Sequence, residues 1–196
     1  MDHRDEALTT AFVRTTRATP WRLVQKVPLR FPTHHPQGLA VVGDTLILST
    51  VEVLEAPARL SEPDLAHDRT AGRGIGHLLV LDRQARLLCD IVVGAGSVYH
   101  PGGVDVDGES AWVPVAEYRP HGRSTLVRLD LRSFEVEPVF DVDDHIGAVV
   151  RDRVTGNLHG ASWGSRTMYA WTSDGTLLSK RPNVDHLIDY QDCAYV

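Results

Sequence analysis

HPQGLAVVGDTLILSTVE (residues 35–52) and HPGGVDVDGESAWVPVAE (residues 100–117) are two copies of one pattern in this chain of 196 residues. They agree at the histidine, the proline, the first glycine, one valine, the second glycine and the closing glutamate. HIGAVVRDRVTGNLHGASW (residues 145–163) is a third copy with one more residue at its turn, and QDCAYV (residues 191–196) begins a fourth. Such regular recurrence indicates a repeat architecture.

Each copy contains short runs of β-branched and aromatic residues that are separated by turn residues. In the second copy the pattern predicts strands at 103–106, 111–116, 124–130 and 136–141, with a tight turn at Asp107-Gly108-Glu109. Four antiparallel strands in a unit of about 45 residues are typical of a β-propeller blade, and a β-sandwich of hairpins is the alternative. The predicted fold is therefore all-β, a β-propeller that is six-bladed when intact, with about four blades partly or fully present.

The two ends of the chain lie outside complete repeats. Residues 1–18 are predicted to be a weakly helical or disordered extension, and residues 19–196 a partial β-propeller domain. TPWRLVQKVPLRF (residues 19–31) resembles the outer fourth strand of a blade, and the chain stops within an apolar inner strand. An unpaired inner strand exposes a sheet edge. The pattern thus predicts a truncated or split propeller that self-associates through unpaired strands.

Composition excludes several classes of partner. The formal net charge is −6, whereas nucleic-acid binding requires a basic surface. No apolar run is long enough to span a membrane, and two cysteines make a disulfide framework improbable. The N-terminus has no apolar leader segment, so the chain as written is predicted to be cytoplasmic, or secreted if a leader has been removed.

The repeat also predicts a site at one end of the propeller channel. The first and second strands of a blade form an up-down hairpin, so the histidine that opens each copy and the glutamate that closes it lie at the same end. Imidazoles and carboxylates in one ring bind divalent metals or perform acid–base chemistry. The candidates are Glu117 and His145 for catalysis, Glu52, Glu117, His100 and His145 for a divalent metal ion, and His35, Gln37, His100, Trp163, Gln191 and Asp192 for a small-molecule ligand.

A structural interpretation of the same residues stays open. A repeated histidine can cap a strand and bond the backbone of the neighbouring blade, and Glu117 can pair with Arg119 or Arg123. The polar insert at 53–75 is predicted to emerge beside the site, as a lid or rim or merely as a solvated loop. Ser162 fits the G-x-S-x-G pattern, but a strand follows it instead of the helix that a nucleophile elbow needs.

Several motifs carry a resemblance to a known family. They are FPTHHPQGL (31–39), GIGHLLVLD (74–82), YHPGGVDVDG (99–108), WVPVAEYRP (112–120), VDDHIGAVV (142–150), LHGASWGS (158–165) and DYQDCAYV (189–196). Residues 28–196 resemble an uncharacterised bacterial propeller-type domain family, and are more distantly similar to propellers of the regucalcin and gluconolactonase type. The resemblance implies further blades beyond residue 196, and it implies no established activity.

Two functional classes follow. One is a hydrolase or lactonase in which a divalent ion at the channel mouth polarises a carbonyl or activates water. The other is a non-catalytic propeller that binds a small molecule or a protein, with Tyr99, Trp112, Tyr118 and Trp163 contributing to the surface. A truncated fragment without function is a third possibility, and the fold alone does not decide among them.

Overall fold

The computed structural model describes residues 3–62, 67–185 and 187–196, and it shows an all-β protein of antiparallel sheets. The described residues contain one α-helix, α1 (His3–Val13). No helix in this part of the chain is long and apolar enough to cross a bilayer. The strands are β1 (His35–Val42), β2 (Thr45–Glu55), β3 (Arg73–Asp82), β4 (Leu87–Gly96), β5 (Val98–Pro101), β6 (Asp105–Asp107), β7 (Ser110–Glu117), β8 (Ser124–Asp130), β9 (Val136–Val142), β10 (Ile146–Arg151), β11 (Leu158–Ser162), β12 (Thr167–Trp171) and β13 (Leu177–Pro182).

The strands form three successive antiparallel units. Unit 1 is β1–β4, unit 2 is β5–β9 and unit 3 is β10–β13, and within each unit the strands are paired in chain order. In unit 2 residues 102–104 divide the first strand into β5 and β6, and both parts pair with β7. A single pair, Ala95 with Val98, joins units 1 and 2 into one sheet, whereas unit 3 is a separate sheet.

Local sequence explains the hairpins that build these units. The predicted Asp107-Gly108 turn is confirmed, since Asp107 pairs with Ser110 across it. Gly108 has a φ of 59°, a left-handed conformation that glycine adopts without steric cost. The predicted strand at 124–130 coincides with β8, and the one at 136–141 gains a single residue in β9.

Two of the buried clusters lie between units, and a third contains Leu48, Leu79 and Leu81 of unit 1. Ile47 and Leu78 of unit 1 pack against Val113 and Leu129 of unit 2 in one buried cluster. A second cluster contains Leu126 of unit 2 with residues of unit 3, and it includes a near-parallel stack of Tyr169 on Trp171. Each contact between the faces of two units removes large side chains from water. Burial of this apolar area stabilises the packing of adjacent units.

The first strands of the three units contact one another through glycine residues. The amide of Gly103 donates a hydrogen bond of 3.0 Å to the carbonyl of Gly147 in unit 3. A methyl group on Gly38 would lie 2.7 Å from the Cα of Gly103. These contacts need the absence of a side chain, which explains why each repeat carries glycine shortly after its histidine.

Three predictions about the chain ends and the insert need correction. Residues 19–31 form no strand, and Trp21 and Val24 are more than four-fifths exposed there, because no described strand pairs with this segment. Residues 191–196 form no strand either, since side-chain carboxylates rather than a ladder hold their backbone. The insert is shorter than predicted because β2 and β3 extend into it, and its residues 63–66 lie outside the described residues.

Candidate functional site

The three units enclose one polar cavity where their first strands begin. Its volume is about 290 Å³, close to the lower end of the roughly 300–1,000 Å³ range of small-molecule pockets. The openings of all three repeats contribute an imidazole to the wall. The lining residues are His35, Gln37, His100, Gly102, Tyr118, His145, Gly147, Ser162, Trp163, Gly164, Asp189, Tyr190 and Gln191.

His100 is the most unusual group in this wall. Its side chain is buried, and neither ring nitrogen has a hydrogen-bond partner among the described residues. The ring stacks on Tyr118 with centroids 4.3 Å apart and planes 6° from parallel. Desolvation, followed by the nearby His145 and His35, lowers the pKa of His100 to about 3. His100 is therefore a neutral imidazole near pH 7 whose polar atoms lack partners within the protein.

His145 is held in one orientation by the neighbouring unit. Its Nδ1 lies 2.7 Å from the carbonyl oxygen of Glu117. A carbonyl only accepts hydrogen bonds, so Nδ1 carries the proton and Nε2 carries the lone pair. Burial lowers the pKa of His145, and the bond to Glu117 opposes this shift. His145 thus contributes a neutral ring with a basic Nε2 atom.

Glu117 was grouped with His100 and His145 as a catalytic and metal-binding residue, and the structure does not bring its carboxylate to the cavity. Oε2 accepts a hydrogen bond of 2.8 Å from Nε of Arg119 and lies 2.7 Å from its NH2 group. The backbone amide of Arg123 also faces Oε2, at 3.4 Å. The ion pair turns the carboxylate away, so only the main-chain carbonyl of Glu117 reaches the site through His145.

Glu52 also lies apart from the cavity. Its Oε2 atom is 3.8 Å from Nε2 of His77, a residue of β3 that the sequence analysis did not select. In the described parts of the chain, the cavity histidines do not form a group of three ligand atoms within 4.8 Å of one another. The predicted metal set of Glu52, Glu117, His100 and His145 is therefore not assembled.

The far wall of the cavity is a short 3₁₀ turn at Trp163–Ser165. Trp163 contacts His145 edge-on, with ring centroids 4.8 Å apart. Ser165 is buried, and its hydroxyl donates to Asp189 and accepts the amide of Tyr190 at 2.7 Å. These bonds place residues 189–191 against the cavity.

Ser162 lines the cavity but is not placed as a nucleophile. Its hydroxyl accepts a 3.0 Å hydrogen bond from the backbone amide of Thr167. The segment runs from β11 through the 3₁₀ turn into β12, so no helix follows the serine. The strained strand-to-helix turn of a nucleophile elbow is absent at this described position, as the sequence context predicts.

Part of the insert reaches the rim of the cavity. The guanidinium of Arg69 stands 5.7 Å from the centroid of the Trp163 ring. The loop is braced by a bridge between Arg59 and Arg69 and by the hydroxyl of Tyr99, which donates to the carbonyl of Ala71 at 3.0 Å. These contacts favour the rim interpretation over a merely solvated loop for the described residues.

Asp192, predicted as a ligand-binding residue, instead holds backbone groups of two units. Oδ2 accepts the amide of Leu39 and Oδ1 accepts the amide of Val104, both at 2.9 Å. Asp105 acts similarly, accepting the amides of Arg151 and Tyr195. Burial raises the pKa of both carboxyl groups. Asp192 is thus a clamp between units 1 and 2.

Replacement of Asp192 by alanine is expected to lower the free energy of unfolding by about 1–3 kcal/mol, because the amide of the buried Val104 loses its acceptor. Urea denaturation followed by circular dichroism measures the change. Asp44→Ala is the matched control, since that carboxylate is fully exposed and should change stability by less than about 0.5 kcal/mol. Equal effects of the two substitutions would contradict the clamp.

The cavity contains residues that the sequence analysis overlooked or did not assign as ligands. Tyr118 was considered only as a surface aromatic, although its place directly after the closing glutamate of the repeat was a usable signal. Gly102 and Gly147 form the floor through backbone atoms, and glycine gives no chemical signal by itself. His77, which lies outside the cavity lining, was also missed, because it stands inside an apolar strand, where a histidine looks like a core residue.

Comparison with known proteins gives a family and no activity. Residues 4–196 match the model of a family of unknown function (DUF6454), and the chain belongs to that family. No curated protein matches the sequence.

Similarity to a solved structure with a TM-score above 0.5 supports the fold alone. The computationally designed protein Ika4 is similar with a TM-score of 0.51 at 12% identity, over 87% of this chain and 86% of that one. A luciferin-regenerating enzyme has a TM-score of 0.44 at 13% identity, over 71% of this chain and 43% of that one. A functionally unknown protein from Desulfotomaculum acetoxidans has a TM-score of 0.38 at 11% identity, over 76% and 58%. The chain thus spans about half the length of the last two.

Proposed function

We propose that this member of the family of unknown function forms part of a β-propeller whose axial cavity binds a small, polar, uncharged molecule. Three features support the propeller architecture. The units are consecutive, each is paired in chain order, and adjacent units pack face to face. The first strands converge through Gly38, Gly103 and Gly147, as inner strands do around a propeller axis.

The observation that carries the binding function is the unpartnered ring of His100. A buried polar atom without a hydrogen bond costs about 1–3 kcal/mol, so native structures tolerate few of them. Two such atoms occur on one ring, at the wall of a cavity that is open to small molecules. We infer that a ligand with hydroxyl or carbonyl groups bonds to these nitrogens after displacing the side chains that shield them from water.

The lining indicates an uncharged ligand. His100 and His145 are neutral near pH 7 because burial lowers the pKa of each. The carboxylate of Asp189 keeps its negative charge, but each of its oxygens already accepts a hydrogen bond, from Ser165 and from Gln191. Aromatic faces beside amides and imidazoles suit a molecule with both hydroxyl groups and carbon–hydrogen faces. A carbohydrate-like polyol or a sugar lactone fits this description.

The binding experiment uses ligand-observed NMR with hexoses, hexitols and sugar lactones, alongside sugar acids and amino sugars of similar size. At least one uncharged compound is expected to bind, and His100→Phe is expected to weaken it at least tenfold. Phenylalanine keeps a ring to stack on Tyr118 and removes both nitrogens. His159→Gln, on an exposed position of β11, is the matched control. Binding by charged compounds only, or no binding at all, would refute the proposal.

Hydrolysis of a lactone is a second candidate, favoured by the lone pair on Nε2 of His145. In this reaction Nε2 accepts a proton from water while the water oxygen attacks the lactone carbonyl. The ring carbon–oxygen bond then breaks, and the leaving alkoxide takes the proton back from His145. Acid release at constant pH would be lost in His145→Asn, which retains a donor for Glu117 but lacks Nε2. Retained turnover in that variant would exclude His145 as the general base.

A further inference from the structure

A second histidine, His77 on β3, is oriented by a carboxylate and lies outside the cavity lining. Its Nδ1 is 2.8 Å from Oδ1 of Asp90 on the neighbouring strand β4. A carboxylate at this distance accepts a hydrogen bond from Nδ1, so Nε2 is the ring atom left to bind a metal ion. Metal-binding histidines are commonly held in this way by a carboxylate.

The Nε2 atom of His77 has no hydrogen-bond partner in the described structure. The side chain is 9% exposed, and Nε2 is buried without a hydrogen-bond partner among the described residues. It points toward Oε2 of Glu52, which is 3.8 Å away. An imidazole nitrogen and a carboxylate oxygen that face each other at this separation can both bind one metal ion placed between them.

His34 completes the group on its open side. Its ring stacks on His77 with centroids 5.2 Å apart and planes 9° from parallel. One ligand atom from each of His34, Glu52 and His77 lies within 4.8 Å of the others. His34 is exposed, so its side chain can rotate, whereas strand pairing and Asp90 hold the His77 ring.

We propose that His34, Glu52 and His77 bind a first-row divalent transition metal ion, with Asp90 as the residue that positions His77. Two imidazoles and one carboxylate are the ligand set of many catalytic zinc sites and of non-haem iron sites, whereas magnesium and calcium prefer oxygen ligands. Bonds of about 2.0–2.1 Å in a tetrahedral site separate ligand atoms by about 3.4 Å. The Glu52–His77 pair is already near that spacing, and rotation of the exposed His34 side chain would close the remainder.

This site is separate from the cavity of the proposed function. Its three ligands do not line that cavity, and the His100 ring is not a member of the group. The exposed side of His34 leaves coordination positions open to water, so a bound ion would be accessible to a small ligand. The metal site can therefore be tested without any assumption about what the cavity binds.

The experiment titrates Zn²⁺ alone into the tag-free, chelator-stripped chain by isothermal titration calorimetry. One equivalent is expected to bind. Glu52→Gln and His77→Ala should each weaken zinc binding at least 100-fold, and Asp90→Asn about 10–100-fold, since it acts through His77. The matched control His159→Gln should stay within twofold.

A further variant keeps the test decisive if His77→Ala unfolds. His34→Gln changes an exposed side chain and should leave the far-ultraviolet circular dichroism unchanged while weakening zinc at least tenfold. Cobalt substitution gives an independent signal, because two histidines and a carboxylate impose visible d–d absorption that Glu52→Gln should alter. Zinc binding that survives both His34→Gln and Glu52→Gln, or that is lost instead in His100→Phe, would overturn the proposal.

Discussion

Gly102→Ala is expected to destabilise the protein by about 3 kcal/mol, the upper end of the cost of overpacking a closed site. A methyl group at this position would overlap the carbonyl oxygen of Gly147 and lie 2.7 Å from its carbonyl carbon. Both atoms belong to the backbone, so no side chain can rotate to make room. Units 2 and 3 would have to separate, and the hydrogen bond between Gly103 and Gly147 would lengthen.

Gly147→Ala is the matched control, because it adds the same methyl group on the opposite side of the same contact. The nearest atom to that methyl would be Nε2 of His145 at 3.9 Å, an ordinary contact distance. The free energy of unfolding should change by less than about 1 kcal/mol in either direction. Urea denaturation of both variants measures the difference, and a Gly102→Ala loss no larger than that of Gly147→Ala would contradict the packing at the centre.

Acidification below pH 6.5 is expected to destabilise the fold by several kcal/mol, with His100 as a large contributor. Its pKa falls from 6.5 to about 3 on folding because burial disfavours the imidazolium. Between these values the unfolded chain binds a proton that the folded chain does not. The contribution is fully present above pH 6.5 and is lost as the pH falls, by about 1.4 kcal/mol per pH unit for each such group. His145 adds to the loss, since burial lowers its pKa too.

Two buried carboxyl groups oppose this effect of the imidazoles. Asp105 and Asp192 have raised pKa values in the fold, so they act in the opposite direction as the pH approaches their own range. Urea denaturation at half-unit intervals gives the slope of stability against pH. His100→Phe should reduce that slope by up to about 1.4 kcal/mol per pH unit. An unchanged slope would show that His100 gains charge in the folded state, and that the ring is hydrated.

The sequence predicts the sheets well because their signals are local. Alternation of side chains and turns such as Asp107-Gly108 depend on neighbouring residues, so β7 and β8 are found almost residue by residue. The predicted strands at 19–31 and 191–196 fail for a different reason. A strand exists only where another strand pairs with it, and apolar composition by itself cannot supply that partner.

The repeat of histidines by itself predicted that His35, His100 and His145 come to one place, because equivalent positions in successive units lie at the same end. Only the tertiary structure decided what each polar group does there. The sequence offered a pair of Glu117 with Arg119 as an alternative, and the fold selects it. Asp192 holds the amide of Leu39, which is 153 positions away. A carboxylate takes the nearest donor that folding brings to it, and distant segments bring donors that the local sequence does not reveal.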